Sequence, residues 1–267
     1  MGIDYIVDLD CVPKRALTVE GLMSRLKGRD RAEKIIQLYR EQGDLRPPQR
    51  MAFEMVRRLP DGSEEVELIV VQHLLDAAQE LMPWEADCAG CLANAGGQPF
   101  GCTGTINYPL SEAGERWLLQ QLPDGEHPLI FMLLGRALRD MGYSGEHGAA
   151  LRAQPGVFLT SAQAPARNLG ALTISGDQVF EMLFLSGPIY PAHGALLLQF
   201  FGAMPPDLDA DVMMQLADPP SGAWIDARLP FLHTPDPRDD PTIAALKMFF
   251  YALYVAYCLG VPLLLDV

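Results

Sequence analysis

Cys88, Cys91 and Cys102, three cysteines within fifteen residues of a 267-residue chain that has only five, are the residues whose type and spacing point most directly to chemistry. A thiolate is a strong ligand for zinc or iron, and Cys88-Ala89-Gly90-Cys91 is a knuckle that can turn two sulfurs onto one tetrahedral centre. Gly90, with Gly96, Gly97, Gly101 and Gly104 around Cys102, permits the tight turns that aim backbone amides at sulfur. Residues 87–105 hold three Cys, five Gly and a Pro and follow neither the helical nor the strand period. A bound ion is the economical way to give such a loop its shape.

Three thiolates leave one tetrahedral place open, and Cys11 is the expected fourth ligand because it follows the first predicted strand. His73 is the runner-up, and Cys258 falls in a predicted core helix. Zinc leads, since its closed sites stabilise loops without a core of their own. An iron-sulfur cluster is the alternative, because Cys clusters ligate it equally well. Buried, inert core cysteines are the bland reading. A redox Cys-x2-Cys fits poorly, because that chemistry favours a thiolate at a helix N-terminus. A zinc deaminase is excluded by the lack of a His-x-Glu upstream.

Weaker groups accompany the cysteines. Asp8 and Asp10 share one face of a strand and could hold a hard cation, although such pairs are more often a wet edge. His193, and His233 with Asp236, Asp239 and Asp240, could do acid-base work, yet no motif spacing ties them together. Tyr251, Tyr254 and Tyr257 could floor a ligand pocket, though aromatic residues so spaced more often fill a core. No phosphate loop, dinucleotide fingerprint, nucleophile elbow or His-Glu-x-x-His is present.

The elements that must position these groups can be read from periodicity. Residues 3–10 alternate as a strand, and residues 18–41 keep helical spacing with a break expected near Gly28. Residues 51–59 and 64–71 alternate on either side of Pro60-Asp61-Gly62-Ser63, which predicts a hairpin. A helix over 74–82, closed by Pro83, leads into the cysteine loop. A short strand over 105–109 and a helix opened by Ser111 follow it. Beyond His127 the chain turns helical, over 129–141, 177–185, 192–204, 209–216 and 242–259. Strands are expected at 156–160 and 261–267, and an exposed Pro-rich connection at 230–241. The reading is an α+β fold, with an N-terminal mixed strand/helix half (1–125) carrying the loop and a mainly helical half (126–267), packed as one body.

Composition sets the outer bounds. The chain is 49% hydrophobic and 20% charged, enough apolar material to offset the entropy of ordering it. A formal charge of -14 argues against nucleic acid as a partner. Residues 1–60 carry 12 of the 20 basic and 9 of the 34 acidic residues, a balance of +3 that fits a solvated helix surface of mixed charge. No basic start or long apolar run suggests a leader at the N-terminus. Only 243–265 approaches a membrane span, and it is broken by Lys247, Gly260 and Pro262, with Asp240 and Pro241 as ordinary helix-start signals. Five cysteines at irregular spacing suit thiols kept reduced in the cytoplasm.

The expectation is therefore a soluble cytoplasmic protein whose cysteine loop holds a structural zinc and offers a surface to a protein partner. An iron-sulfur redox protein or enzyme using Cys88, Cys91 and Cys102 is the alternative. A third reading places an enzyme pocket in the helical half with the metal merely structural.

Overall fold

The computed structural model of the chain describes residues 2–58, 64–185, 187–206, 208–219 and 221–266. Its elements run β1 (Gly2–Val7), α1 (Val12–Leu17), α2 (Val19–Glu41), β2 (Ala52–Arg58), β3 (Glu64–Val70) and α3 (Val71–Gln79). Then come β4 (Thr103–Asn107), α4 (Glu112–Gln121), α5 (Pro128–Asp140), α6 (Glu146–Arg152), β5 (Ala166–Asn168) and β6 (Thr173–Ser175). The chain closes with α7 (Gly176–Phe184), α8 (Pro191–Phe200), α9 (Ala210–Gln215), α10 (Gly222–Arg228), α11 (Pro241–Leu259) and β7 (Leu263–Leu265). This is an α+β protein, as the periodicity indicates.

Two units emerge, Asp10–Ala89 and a larger one made of Met1–Leu9 with Gly90–Val267. Residue 125, where the sequence suggests a boundary, lies inside the larger unit. In the smaller unit β2 and β3 form the expected antiparallel hairpin, with Val56 opposite Val66 and Phe53 opposite Ile69. The expected turn at 60–63 lies outside the described residues. Ala32, Met51 and Val71 form the buried centre, against which Ile35, Ile36, Tyr39 and Phe53 pack. Helix α2 runs unbroken through Gly28, which packs beside Leu74 of α3. Such packing outweighs the roughly 1 kcal/mol that an interior glycine costs a helix.

The larger unit is built on a three-stranded antiparallel sheet in the order β4-β1-β7. Tyr5 of β1 lies opposite Gly104 of β4, where a Cβ would collide with the Tyr5 ring and hydroxyl. Instead of a strand at 156–160 there is a single bridge between Leu110 and Leu159. Helix α11 spans the middle of this unit, starting at Asp240, whose carboxylate accepts from the Thr242 amide at 2.8 Å, and ending at Gly260 with φ 66°. Among the described residues it alone is long and apolar enough to cross a membrane. Its faces are instead largely taken up by α8, β4, β1 and α4, with Phe249, Phe250, Leu253 and Ala256 buried.

Two buried polar knots stitch the helices together. Arg152 of α6 donates to Asp177 of α7 at 2.8 Å, to the Ser161 carbonyl at 2.8 Å, and to Glu115 of α4. Glu181 of α7, 4% exposed, accepts the amides of Gly145 and His147 at 2.7 Å each and so caps α6.

Candidate ligand-binding site

The cysteine loop does not form the expected metal centre. Among the described residues no three His, Cys, Asp or Glu groups are placed to hold a metal ion, which overturns the metal-binding reading in both its zinc and its iron-sulfur form. Cys11 is the N-cap residue of α1, and Cys88 closes a 3-10 stretch, Met82–Cys88, where its Sγ lies 3.9 Å from the Trp84 carbonyl; both belong to the smaller unit. Cys91 and Cys102 belong to the larger one, and all five cysteines are thiols. His73 stands exposed on α3.

The loop gets its shape from turns and a buried ring. The Gly96 amide donates to the Gly101 carbonyl at 2.9 Å, the Gly101 amide to Gln98 at 2.9 Å, and the Asn94 amide to Cys91 at 3.0 Å. Phe100, 3% exposed with φ 61°, anchors the turn. Gly101 has no room for a side chain, since a Cβ there would strike Asn94 and Gln98. The glycines that resemble a cradle for sulfur thus serve backbone packing.

One wall of a cleft in the larger unit is formed by this loop. Ala95 and Gly96 face Ala244, Met248 and Tyr251 of α11, with Phe231 and His233 closing the end, around a cavity of about 580 Å³. A second cavity of about 320 Å³ shares Ala95, Gly96, Ala244 and Met248 with it and continues toward Tyr5, Thr103 and Gly104. Ala244, Met248 and Tyr251 are spaced as one helical stripe. They are exposed, at 40% for Met248 and 37% for Tyr251, on a helix otherwise spent on the core.

The polar groups of the cleft are largely committed to one another. The Lys247 ammonium gives its three donors to Asp239 Oδ1 and Oδ2, at 2.9 and 2.7 Å, and to the Thr234 carbonyl at 3.0 Å. Lys247 and Asp239 are each 13% exposed, and the lysine holds the Asp239 carboxyl below its usual range. Asp236 is clasped by Arg238, whose side-chain and backbone hydrogen bonds lower its pKa to about 2. His233 Nε2 lies 2.8 Å from the Phe201 carbonyl, so that nitrogen carries the proton and donates. Burial pushes the His233 pKa down, Lys247 adds to the lowering, and the Phe201 carbonyl partly offsets it. The ring is neutral at neutral pH, which leaves Nδ1 as an acceptor; among the described residues it has no hydrogen-bond partner. Trp117 packs on the same ring at 5.0 Å.

This arrangement suits binding better than proton transfer or nucleophilic attack. Among the described residues no carboxylate backs the His233 ring, and an ammonium with three occupied donors is no free nucleophile. The remaining candidates fall elsewhere. His193 meets the Tyr143 hydroxyl at 3.3 Å, while Tyr254 donates to Asp226 at 2.9 Å and Tyr257 to the Leu216 carbonyl at 3.0 Å, so Tyr251 alone of the three reaches the cleft. Asp10 pairs with Arg15 at 2.6 Å, and Asp8 is in the other unit, at the end of β1. Lys247, which the sequence shows only as an interruption of an apolar run, carries the missed signal: a lone charge in a core helix needs a partner nearby.

Fold and site together define an α+β protein whose larger unit contains an apolar, aromatic-ended cleft with internally neutralised charge. Comparison with family models, with curated proteins and with solved structures finds no match to this chain.

Proposed function

We propose that the larger unit binds a small organic molecule in the cleft between the 95–96 turn and α11. The observation that carries this reading is the stripe of Ala244, Met248 and Tyr251, apolar side chains turned to solvent from a helix that has no polar face there. A helix that is apolar all round is stable in water only when covered, and a concave space of this size matches the several hundred Å³ typical of ligand sites. His233 gives the site one oriented acceptor, and Phe231 and Tyr251, 5.2 Å apart, give it an aromatic end.

The test is titration with N-phenylnaphthylamine, an uncharged dye whose emission rises in apolar surroundings. The wild-type chain is expected to bind it with one-to-one stoichiometry, and Ala244→Trp, which fills the junction of the two cavities, to abolish binding. Position 244 is exposed, so the replacement changes stability by only about 0.5 kcal/mol through helix propensity. Equal binding by both proteins, or none by the wild type, refutes the proposal.

A further inference from the structure

From the pairing of every charge at the cleft, and resting on the binding reading above, we infer that the ligand is an uncharged aromatic molecule with a hydrogen-bond donor for His233 Nδ1. A charged ligand entering an apolar cleft sheds water and needs an opposite charge to meet it. The obvious partner for an anion is Lys247, and its three protons already lie on Asp239 and Thr234. Recruiting it would strand the Asp239 carboxylate, which also accepts the Asp236 amide at 2.9 Å. The obvious partners for a cation are Asp239 and Asp236, the first held by Lys247 and the second by Arg238 through bonds of 3.0 and 2.7 Å. Four charges thus cancel in two pairs.

Beside the paired charges the lining offers apolar surface, the Tyr251 and Thr234 hydroxyls and the His233 ring. Phe231, Tyr251 and Met248 present ring faces and a thioether, the surroundings in which a flat aromatic body packs best. His233 Nε2 is fixed by the Phe201 carbonyl, so the ring cannot change tautomer without losing that bond, and Nδ1 is held in the accepting state. A ligand with an N–H or O–H at the edge of its ring system satisfies it.

Three probes sharing one ring frame test this in the intact chain: N-phenylnaphthylamine, which is neutral and has one N–H; its sulfonated analogue, anilinonaphthalene sulfonate; and an N-phenylnaphthylamine that carries a trimethylammonium group. The neutral probe is expected to bind at least tenfold more tightly than either ion. His233→Phe, which keeps a ring beside Trp117 but removes the acceptor, is expected to weaken N-phenylnaphthylamine severalfold and to leave its oxygen-bridged analogue, phenoxynaphthalene, which has no N–H, unchanged. If either ion binds as tightly as the neutral probe, or His233→Phe weakens N-phenylnaphthylamine no more than phenoxynaphthalene, the ligand class is wrong although the cleft still binds. If no probe binds, or Ala244→Trp leaves binding intact, the cleft reading itself falls, and this inference with it.

Discussion

Replacing Arg152 by methionine removes the one cation that serves two buried carboxylates. Glu115 is 3% exposed and Asp177 8%, and Arg152 reaches them from α6 while they sit on α4 and α7. Methionine retains much of the apolar volume, so the loss isolates the charge. Breaking a buried pair from one side costs about 3–5 kcal/mol, because the charge left behind has no partner. A ceiling follows from acid-base chemistry. A carboxyl of ordinary pKa near 4 can escape by binding a proton, at about 1.4 kcal/mol per pH unit, hence about 4 kcal/mol near pH 7 and only about 1.4 near pH 5. Burial already raises the Glu115 pKa and Arg152 partly offsets it, so the variant raises it further; its folded state then binds protons that its unfolded state does not, and its stability falls more steeply than that of wild type as pH rises. The deficit against wild type should therefore be about 3–5 kcal/mol near pH 7 and shrink below about 3 near pH 5, where the two carboxyls escape at about 1.4 kcal/mol each. Urea midpoints at the two pH values measure it, with an unchanged dependence on urea showing that the unfolded state is the same. A deficit under about 1 kcal/mol near pH 7, or one that grows on acidification, refutes the argument.

Gly104→Ala places a methyl against the Tyr5 ring and should cost about 1–3 kcal/mol in a urea melt; a neutral result would mean that β1 and β4 can separate freely. Prolonged dialysis against a strong chelator should leave the melting temperature unchanged, since no group of ligands is placed to hold a metal among the described residues; a fall on chelation, reversed by zinc, would reinstate the metal site. Burial holds both His233 and His193 below the ordinary imidazole range. As pH falls below about 6.5 the unfolded chain takes up these protons first, so their contribution is full above that pH and lost on descending toward the folded values. His233→Phe should flatten this slope, and a slope identical to wild type would remove His233 from the account.

Local patterns in the sequence reveal the elements whose causes are local. Alternation over 51–59 and 64–71 anticipates β2 and β3, and the Asp240, Pro241 and Gly260 signals anticipate both ends of α11, because caps and pleats are decided within a few residues. Where the cause is distant the sequence is silent. Helix α6 begins at Gly145 without a side-chain cap of its own and is held by Glu181, 36 residues beyond. Gly28, which reads as a break, lies inside α2 and packs beside Leu74 of another helix. In the cysteine loop, glycine density is equally compatible with an ion and with a self-bonded turn anchored by Phe100. The three cysteines tip the sequence reading to the ion, while the hydrogen bonds of 94–101 belong to the turn. His233, Asp236 and Asp239 are legible as a local polar group. Their meeting with Lys247 and Tyr251 requires the Pro-rich 230–241 segment to fold back along α11, which no periodicity encodes.

Helix α11 shows why an apolar helix is ambiguous in sequence and what resolves the ambiguity. Nineteen residues with a single cation suit a core helix and a membrane span equally by length and composition. A core helix should be covered on every side; this one is covered by α8, β4, β1 and α4, but not along Ala244, Met248 and Tyr251. Lys247 lies beside that stripe, and its charge is cancelled by Asp239 instead of being left to solvent. At 13% exposure the ammonium needs that partner whether or not anything covers the stripe, so the pairing follows from burial. The consequence at the cleft is that this ammonium is held by Asp239 and is not free at the rim to select anions.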